Sequence, residues 1–378
     1  MTDYFATVAR GLETLAAEEL EALGASSVTP GFCGVGFEGD RALLYKVNLW
    51  ARLPFRILVK LGEFSCEDAD DLYRVVQQID WQPHLTPFQT LAVHATGQLT
   101  GKGRRLNHSH FTALQVKNAI VDQQQAQLGE RSSVDPQEPD VAVNVHIYRD
   151  RCTVSLDSSG GSLHRRGYRP AVGVAPLKES LAAALIRLSG WQSDQAFYDP
   201  FCGSGTLPLE ASQQALQIAP GLFRDRFGFE TWPDFDVVLW EQLLEAAKAS
   251  RQTELKAFVG GSDRDSERIN QAEDNARFCG VESQVQFFPT DLSEIVPPAA
   301  SGILLCNPPY GFRIDEGEDL GALYKQLGDV LKQRFSGWTA FVLSGNKQLI
   351  QQIGLRSSQR IPIYNGSIEC RLVKYELY

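Results

Sequence analysis

From Pro176 onward the sequence alternates short apolar runs with helical stripes, and this alternation constrains the fold more than any other feature of the chain. Strand-length runs stand at Ala196–Tyr198, Lys256–Gly260, Val285–Phe288, Gly302–Cys306 and Thr339–Leu343, with helical segments between most of them. Parallel neighbours need crossover connections, so such a series predicts an α/β, doubly wound sheet. The helix opened by Pro176-Leu177 carries Leu177, Leu181, Leu185 and Leu188 on one face. The end breaks the pattern. Arg360–Tyr364, Asn365-Gly366 and Ser367–Leu377 read as a tight antiparallel hairpin with an Asn-Gly turn.

The first 160 residues have a different grammar. Leu12, Leu15, Ala16, Leu20 and Leu23 form a helical stripe that Gly24 ends. Val141, Val143, Val145 and Ile147 alternate with more polar residues, as do Cys152, Val154 and Leu156 after Arg149-Asp150-Arg151, which predicts a hairpin. Compact α+β units are expected here. Between Ala215 and Arg251 lies an insertion bearing Phe223, Phe227, Phe229, Trp232, Phe235 and Trp240, for which local packing is the favoured reading and a substrate lid the other.

At 378 residues the chain has room for two or three cores. No apolar run reaches the roughly 18 residues of a membrane helix, and the N-terminus does not read as a secretory leader, so a cytoplasmic location is the expectation. The seven cysteines are dispersed with no C-x-x-C pair, which favours reduced thiols over disulfides or zinc. No histidine follows His164, which removes histidine acid–base chemistry and histidine-ligated metals from the second half; no metal is expected. A net charge of −10 argues against indiscriminate nucleic-acid binding but leaves room for a local basic face.

Ligands of open α/β sheets bind beyond the carboxyl ends of the strands. The first strand is followed by Asp199-Pro200-Phe201-Cys202-Gly203-Ser204-Gly205-Thr206 and a helix, a glycine loop whose backbone can approach a ligand closely. Pro208 stands where a dinucleotide fingerprint has its third glycine, which counts against NAD or FAD. The second strand leads to Asp263, placed to accept ribose hydroxyls or merely to cap the next helix, for which Asp265 is the better candidate. After the third comes Asp291, a carboxylate suited to an exocyclic amine. The fourth ends in Asn307-Pro308-Pro309-Tyr310, a stiff turn that presents an amide oxygen, free carbonyls and an aromatic ring.

Glycine loop, ribose acid, third aspartate and N-P-P-Y in this order resemble the class I S-adenosylmethionine-dependent methyltransferases that act on planar amino groups. The resemblance implies that the Asn307 side-chain oxygen and a carbonyl of Pro308 or Pro309 grip the two N–H bonds of the target amine while Tyr310 stacks on its ring. It implies cofactor contacts at Asp199, Phe201, Gly203, Gly205, Thr206, Asp263, Asp291 and Asn307, and at Pro176 and Lys178. A nucleobase amine is a poor nucleophile, so fixed acceptors on its hydrogens would act by positioning and electrostatics. No strong base is needed, in keeping with a catalytic half that lacks histidine. The base must leave its stack to reach such a site.

The first half narrows the substrate. Phe5–Glu13, Glu19–Gly24, Leu163–Arg169 and Ala175–Leu181 resemble bacterial RNA methyltransferases with a THUMP domain, most closely those acting on N2 of a guanine in 23S ribosomal RNA. What this resemblance implies is a ferredoxin-like unit over 1–55, a THUMP RNA-binding domain over 56–160 and a Rossmann-like methyltransferase domain over 161–378, with ribosomal RNA of the large subunit, or its precursor, as partner. Lys102, Arg104, Arg105, Arg165, Arg166 and Arg169 are the candidate phosphate contacts, with Lys117, Arg149 and Arg151 adding charge. Some relatives carry a second methyltransferase domain after the first; here the hairpin is followed by Tyr378, and a single reaction is expected. Adenine-N6 methylation of RNA or DNA, methylation of a protein glutamine, and a non-catalytic RNA-binding assembly factor are the competing readings.

Overall fold

A computed structural model describes residues 1–99, 106, 108–168, 177–311 and 319–378. The first half is built from β1 (Thr2–Thr7), α1 (Glu13–Leu23), β2 (Ser26–Gly31), β3 (Gly34–Gly39), α2 (Arg41–Trp50), β4 (Arg56–Ser65), α3 (Ala69–Val76), β5 (Thr90–Leu99), α4 (Ser109–Leu128), β6 (Ser133–Val134), β7 (Val141–Arg149) and β8 (Arg151–Asp157). Local rules set their ends. Gly24 closes α1 in the left-handed region at φ 106°, and the Asp40 carboxylate caps α2 by accepting from the Leu43 amide at 2.8 Å. The expected hairpin is the β7–β8 pair.

These strands do not form two separate sheets. They join in one, ordered β2-β3-β1-β4-β8-β7-β5-β6, because the long strand β4 pairs with β1 on one side and β8 on the other. One hydrophobic core lies under the β5–β8 end, around Trp81, Val116, Val143 and Val154. The other end shares its core with the second half, where Leu12, Leu20, Leu49 and Leu53 pack with Leu185, Phe197 and Leu209.

The second half comprises α5 (Glu179–Ser189), β9 (Ala196–Asp199), α6 (Thr206–Ala215), α7 (Val237–Ala249), β10 (Val259–Asp263), α8 (Ser266–Phe278), β11 (Val285–Pro289), β12 (Gly302–Cys306), α9 (Leu320–Arg334), β13 (Thr339–Ser344), α10 (Lys347–Gln352), β14 (Gln359–Asn365) and β15 (Ile368–Glu376). Strand order is β11-β10-β9-β12-β13-β15-β14. Neighbours are parallel through β13 and antiparallel beyond it, the predicted Rossmann-like sheet with a terminal hairpin. The chain order reverses between β9 and β12, which opens a crevice at their carboxyl ends.

Two local expectations shift. The second strand runs over Val259–Asp263 rather than Lys256–Gly260, so Gly261, expected to follow the strand, belongs to it together with Gly260. A Cβ on Gly260 would stand 2.3 Å from the Gln286 carbonyl oxygen, and one on Gly261 2.6 Å from the Cys202 Cβ. Glycine is there for close approach. The terminal hairpin turns one residue later than expected: Asn365 pairs with Ile368, and the turn is Gly366-Ser367 with Gly366 at φ 64°. The Asn365 side chain has another use, described below.

The aromatic insertion packs, as its composition favoured. Phe227, Phe229 and Trp240 are buried, and Phe229 stacks on Tyr45 of α2 with ring centroids 4.3 Å apart. The Tyr45 hydroxyl accepts a hydrogen bond from the Asp236 amide at 3.0 Å. Gly221 comes so close to the Leu49 backbone that a Cβ would sit 2.9 Å from its Cα. The insertion therefore wedges the N-terminal unit onto the C-terminal sheet. Each of these buried rings contributes roughly 1.5–3 kcal/mol from area alone.

Candidate active site

The crevice is assembled from the carboxyl ends of β9, β10 and β12. Strand β9 delivers Asp199, only 2% exposed, whose carboxylate accepts from the Phe201 amide at 2.9 Å. The chain then crosses over β10, held by the Cys202 amide donating to the Ser262 carbonyl at 2.9 Å. Gly205 turns into α6 at φ 84°, pressed so closely on Phe287 that a Cβ would stand 2.9 Å from that ring. Gly203 has φ 52°, and no atom lies within 4 Å of where its Cβ would be. The two glycines serve opposite ends: one lets the helix start against the core, the other leaves the cavity open.

Asp263 at the end of β10 ties the loop down. One carboxylate oxygen accepts from the Gly203 amide and the other from the Asp265 amide, both at 3.0 Å. Asp265 caps α8 by accepting from the Glu267 amide at 2.9 Å, as its position suggested. The cavity so enclosed has a volume of about 370 Å³ and is lined by Leu177, Asp199, Phe201, Cys202, Gly203, Ser204, Thr206, Leu207, Asp265, Glu267, Arg268, Gln271 and Asn307. Burial pushes the Asp199 carboxyl well above the usual carboxylate range, with the Asp263 charge adding to the effect and the Phe201 amide opposing it. Burial likewise raises the thiols of Cys202 and Cys306.

Asn307 follows β12 and completes the wall. Its side-chain oxygen is buried and has no hydrogen-bond partner among the described residues. A buried amide acceptor without a donor is costly, which marks the position as one kept for something other than folding. Three residues on, the Tyr310 hydroxyl accepts from the Asn365 side-chain amide at 2.8 Å. Asn365, the last residue of β14, thus has its side chain on the tyrosine while its backbone pairs with Ile368.

The fold gathers Asp199, Phe201, Gly203, Thr206 and Asn307 at one cavity, with Asp263 behind Gly203 and Gly205 at the foot of the loop. Other candidate residues stand elsewhere. Asp291 does not line this cavity; its carboxylate accepts from the Ser293 amide and hydroxyl, which cap a short 3-10 turn and hold its pKa below the usual range. From the segment before α5 it is Leu177 that lines the cavity, while the Lys178 ammonium sits 5.4 Å above the Phe55 ring. Arg166 is not a phosphate contact. It is 2% exposed, donates to the carbonyls of Leu163 and Arg52 at 2.8 and 2.7 Å, and pairs with Glu210 of α6. Glu210 also accepts from the Tyr168 hydroxyl at 3.2 Å and faces Arg52 at 3.6 Å, so this buried cluster joins the N-terminal unit to α6. Arg165 is exposed. Lys102, Arg104, Arg105, Arg169 and Pro176 lie outside the described residues.

Sequence reasoning missed the α8 contribution. Glu267, Arg268 and Gln271 share a helical face by their spacing of three and four residues, a signal visible in Ser266–Phe278 once the helix start is fixed at its cap.

Comparison with known proteins bears on what this cavity is for. Residues 166–374 match the family model described as RMKL-like, methyltransferase domain. Residues 66–157 match the THUMP domain and residues 3–58 the RlmL ferredoxin-like domain. A protein of Synechocystis sp. (strain ATCC 27184 / PCC 6803 / Kazusa), named as an RNA methyltransferase, is 56% identical over 99% of this chain and 97% of its own length. The ribosomal RNA large subunit methyltransferase K/L of Syntrophotalea carbinolica is 43% identical over 99% of this chain and 53% of its own, so the chain spans about half the length of that relative. Among solved structures, SMU.472, named as a methyltransferase and complexed with SAH, superposes with a TM-score of 0.88 at 30% identity, covering 100% of this chain and 98% of that one.

Proposed function

Because the chain belongs to the RMKL-like, S-adenosylmethionine-dependent RNA methyltransferases with ferredoxin-like and THUMP domains, we propose that its target is one nitrogen, the exocyclic N2 amine of a guanosine in 23S ribosomal RNA. The cavity fits the cofactor on two counts: the open face of Gly203 admits a ligand against the backbone, and a buried acid, Asp199, stands ready for a cationic group. Asp199, Gly203, Thr206 and the α8 face would hold S-adenosylmethionine there, which supplies the electrophilic methyl group when bound.

The observation that carries the reading is the unpartnered, buried oxygen of Asn307 at the cavity wall. In this reading it accepts one N–H of the target amine, and a carbonyl of the stiff Pro308-Pro309 turn accepts the other. Tyr310, held by Asn365, presents its ring to the base. These groups orient the nitrogen lone pair and stabilise the positive charge that grows on it, and the proton becomes acidic as the methyl arrives, so no strong base is required. The unstacked base of a flipped or single-stranded nucleotide meets the geometry.

The test is to incubate the purified protein with methyl-labelled S-adenosylmethionine and unmodified 23S ribosomal RNA, digest to nucleosides and identify the labelled one. N2-methylguanosine is the expected product. Labelled N6-methyladenosine would retain the role of Asn307 and overturn the guanine assignment. Label confined to protein would overturn the RNA substrate.

A further inference from the structure

A second cleft opens at the same carboxyl edge of the C-terminal sheet, one strand beyond the Asn307–Tyr310 turn. It has a volume of about 250 Å³ and lies between the end of β13, α10 and the outer hairpin. Three cations from three elements converge on it: Lys347 at the start of α10, Arg360 on β14 and Arg371 on β15. Glu369 is the one acid in its lining among the described residues. Arg360 donates to the Ser357 hydroxyl at 3.0 Å. The side chains of Lys347 and Arg371 have no hydrogen-bond or ion-pair partner among the described residues. In a chain with 46 acidic and 36 basic residues, two unpaired cations beside a third in a concave site are against the local odds. Three cations facing one carboxylate leave the cleft with excess positive charge, which disfavours the free protein and favours an external anion.

Position narrows the anion. Gly345 lines this cleft, and a Cβ placed on it would meet the Tyr310 ring at 3.4 Å on its other side. The thickness of one glycine separates the cleft from the tyrosine. Adjacent strands lie ~4.8 Å apart, so the cleft is within about 10 Å of the turn after β12. That is the reach of a neighbouring phosphodiester on a strand whose base is held at Asn307.

We infer that this cleft is a phosphate subsite: Lys347, Arg360 and Arg371 hold the RNA backbone next to the target nucleotide and so fix which way the strand enters. The inference rests on the RNA-methyltransferase reading above. A guanidinium can take a phosphate through two parallel hydrogen bonds, and an ammonium adds a mobile point charge. Such contacts position the strand and carry no base sequence.

The test compares wild type with Lys347→Gln/Arg371→Gln and with the charge-preserving Lys347→Arg/Arg371→Lys. Binding of 23S ribosomal RNA transcript is measured from low to high salt, and S-adenosylmethionine affinity serves as the control for folding. Removing two phosphate contacts should lower the slope of log K against log salt by about 1.4, taking ~0.7 for each contact with a single strand. KM for RNA should rise, S-adenosylmethionine affinity should be unchanged, and the charge-preserving pair should keep the wild-type slope. An unchanged slope and KM in the glutamine pair would overturn the subsite while wild-type activity still supported the reaction. A wild type that neither binds nor methylates the transcript would overturn the RNA reading itself, and the subsite with it.

Discussion

Asn307→Ala separates a residue kept for chemistry from one kept for stability. In the free protein the Asn307 side-chain oxygen is buried without a donor among the described residues. Leaving a buried polar group unpaired costs about 1–3 kcal/mol, so deleting the amide removes a penalty and leaves no partner stranded. Against this stands the small void left by truncation. The net expectation is a variant at least as stable as wild type, and up to ~1 kcal/mol more so, which for a domain of this size shifts Tm upward by about 2–4 °C. In the reaction, the same oxygen would accept from an amine that is gaining positive charge. Hydrogen bonds to charged groups are worth about 1.5–3 kcal/mol, so kcat should fall roughly tenfold to a hundredfold. Differential scanning fluorimetry and single-turnover methyl transfer on the same preparations read both numbers. If Tm dropped by several degrees together with the rate, Asn307 would be a structural residue and the argument from its empty acceptor would fail.

Three further outcomes follow from the same geometry. Glu210→Ala leaves the buried Arg166 guanidinium without its counter-charge and weakens the pairing of Arg52; breaking such a pair costs roughly 3–5 kcal/mol, and a loss of stability below 1 kcal/mol in denaturant titration would mean the cluster does not hold the two halves together. Asp199→Asn should change how stability depends on pH. Burial raises the Asp199 pKa, so its contribution to folding is fully present below the ordinary carboxyl range and is lost as pH rises through the raised value; the variant's Tm should gain on wild type from pH 5 to pH 8, and a constant difference would contradict the assignment. Asn365→Leu removes the donor to the Tyr310 hydroxyl; kcat should fall several-fold with S-adenosylmethionine affinity intact, whereas a variant with wild-type kcat would show that the hairpin does not position the tyrosine.

Much of this architecture was legible in the sequence because it rests on local rules. Strand runs, helix caps and the order of motifs at strand ends follow from periodicity and turn chemistry, and they place Asp199, Gly203, Thr206 and Asn307 beyond neighbouring strands. What escaped was tertiary. The charge of Arg166 is equally compatible with a phosphate contact and with a buried clasp, and only the packing of α6 against the N-terminal unit reveals Glu210 opposite it. Gly261 reads as the start of a turn because its reason for being glycine is the loop that crosses it. Asn365-Gly366 has the strongest turn signal in the chain, yet the turn falls one residue later, and the Asn365 side chain bonds a residue 55 positions away. Asp291 carries a carboxylate at a suggestive place and spends it on its own local turn. The continuous eight-stranded sheet of the first half was hidden because nothing in β4 alone tells that both its edges are used.

The central claim is that the exocyclic N2 amine of a guanosine is the acceptor. Once the labelled nucleotide is mapped, the most direct measurement uses two synthetic RNAs that differ only there, one with guanosine and one with inosine, which lacks that amine. The account predicts methyl transfer to the guanosine RNA and none to its inosine twin, with comparable binding of both. Equal labelling of the two would contradict it.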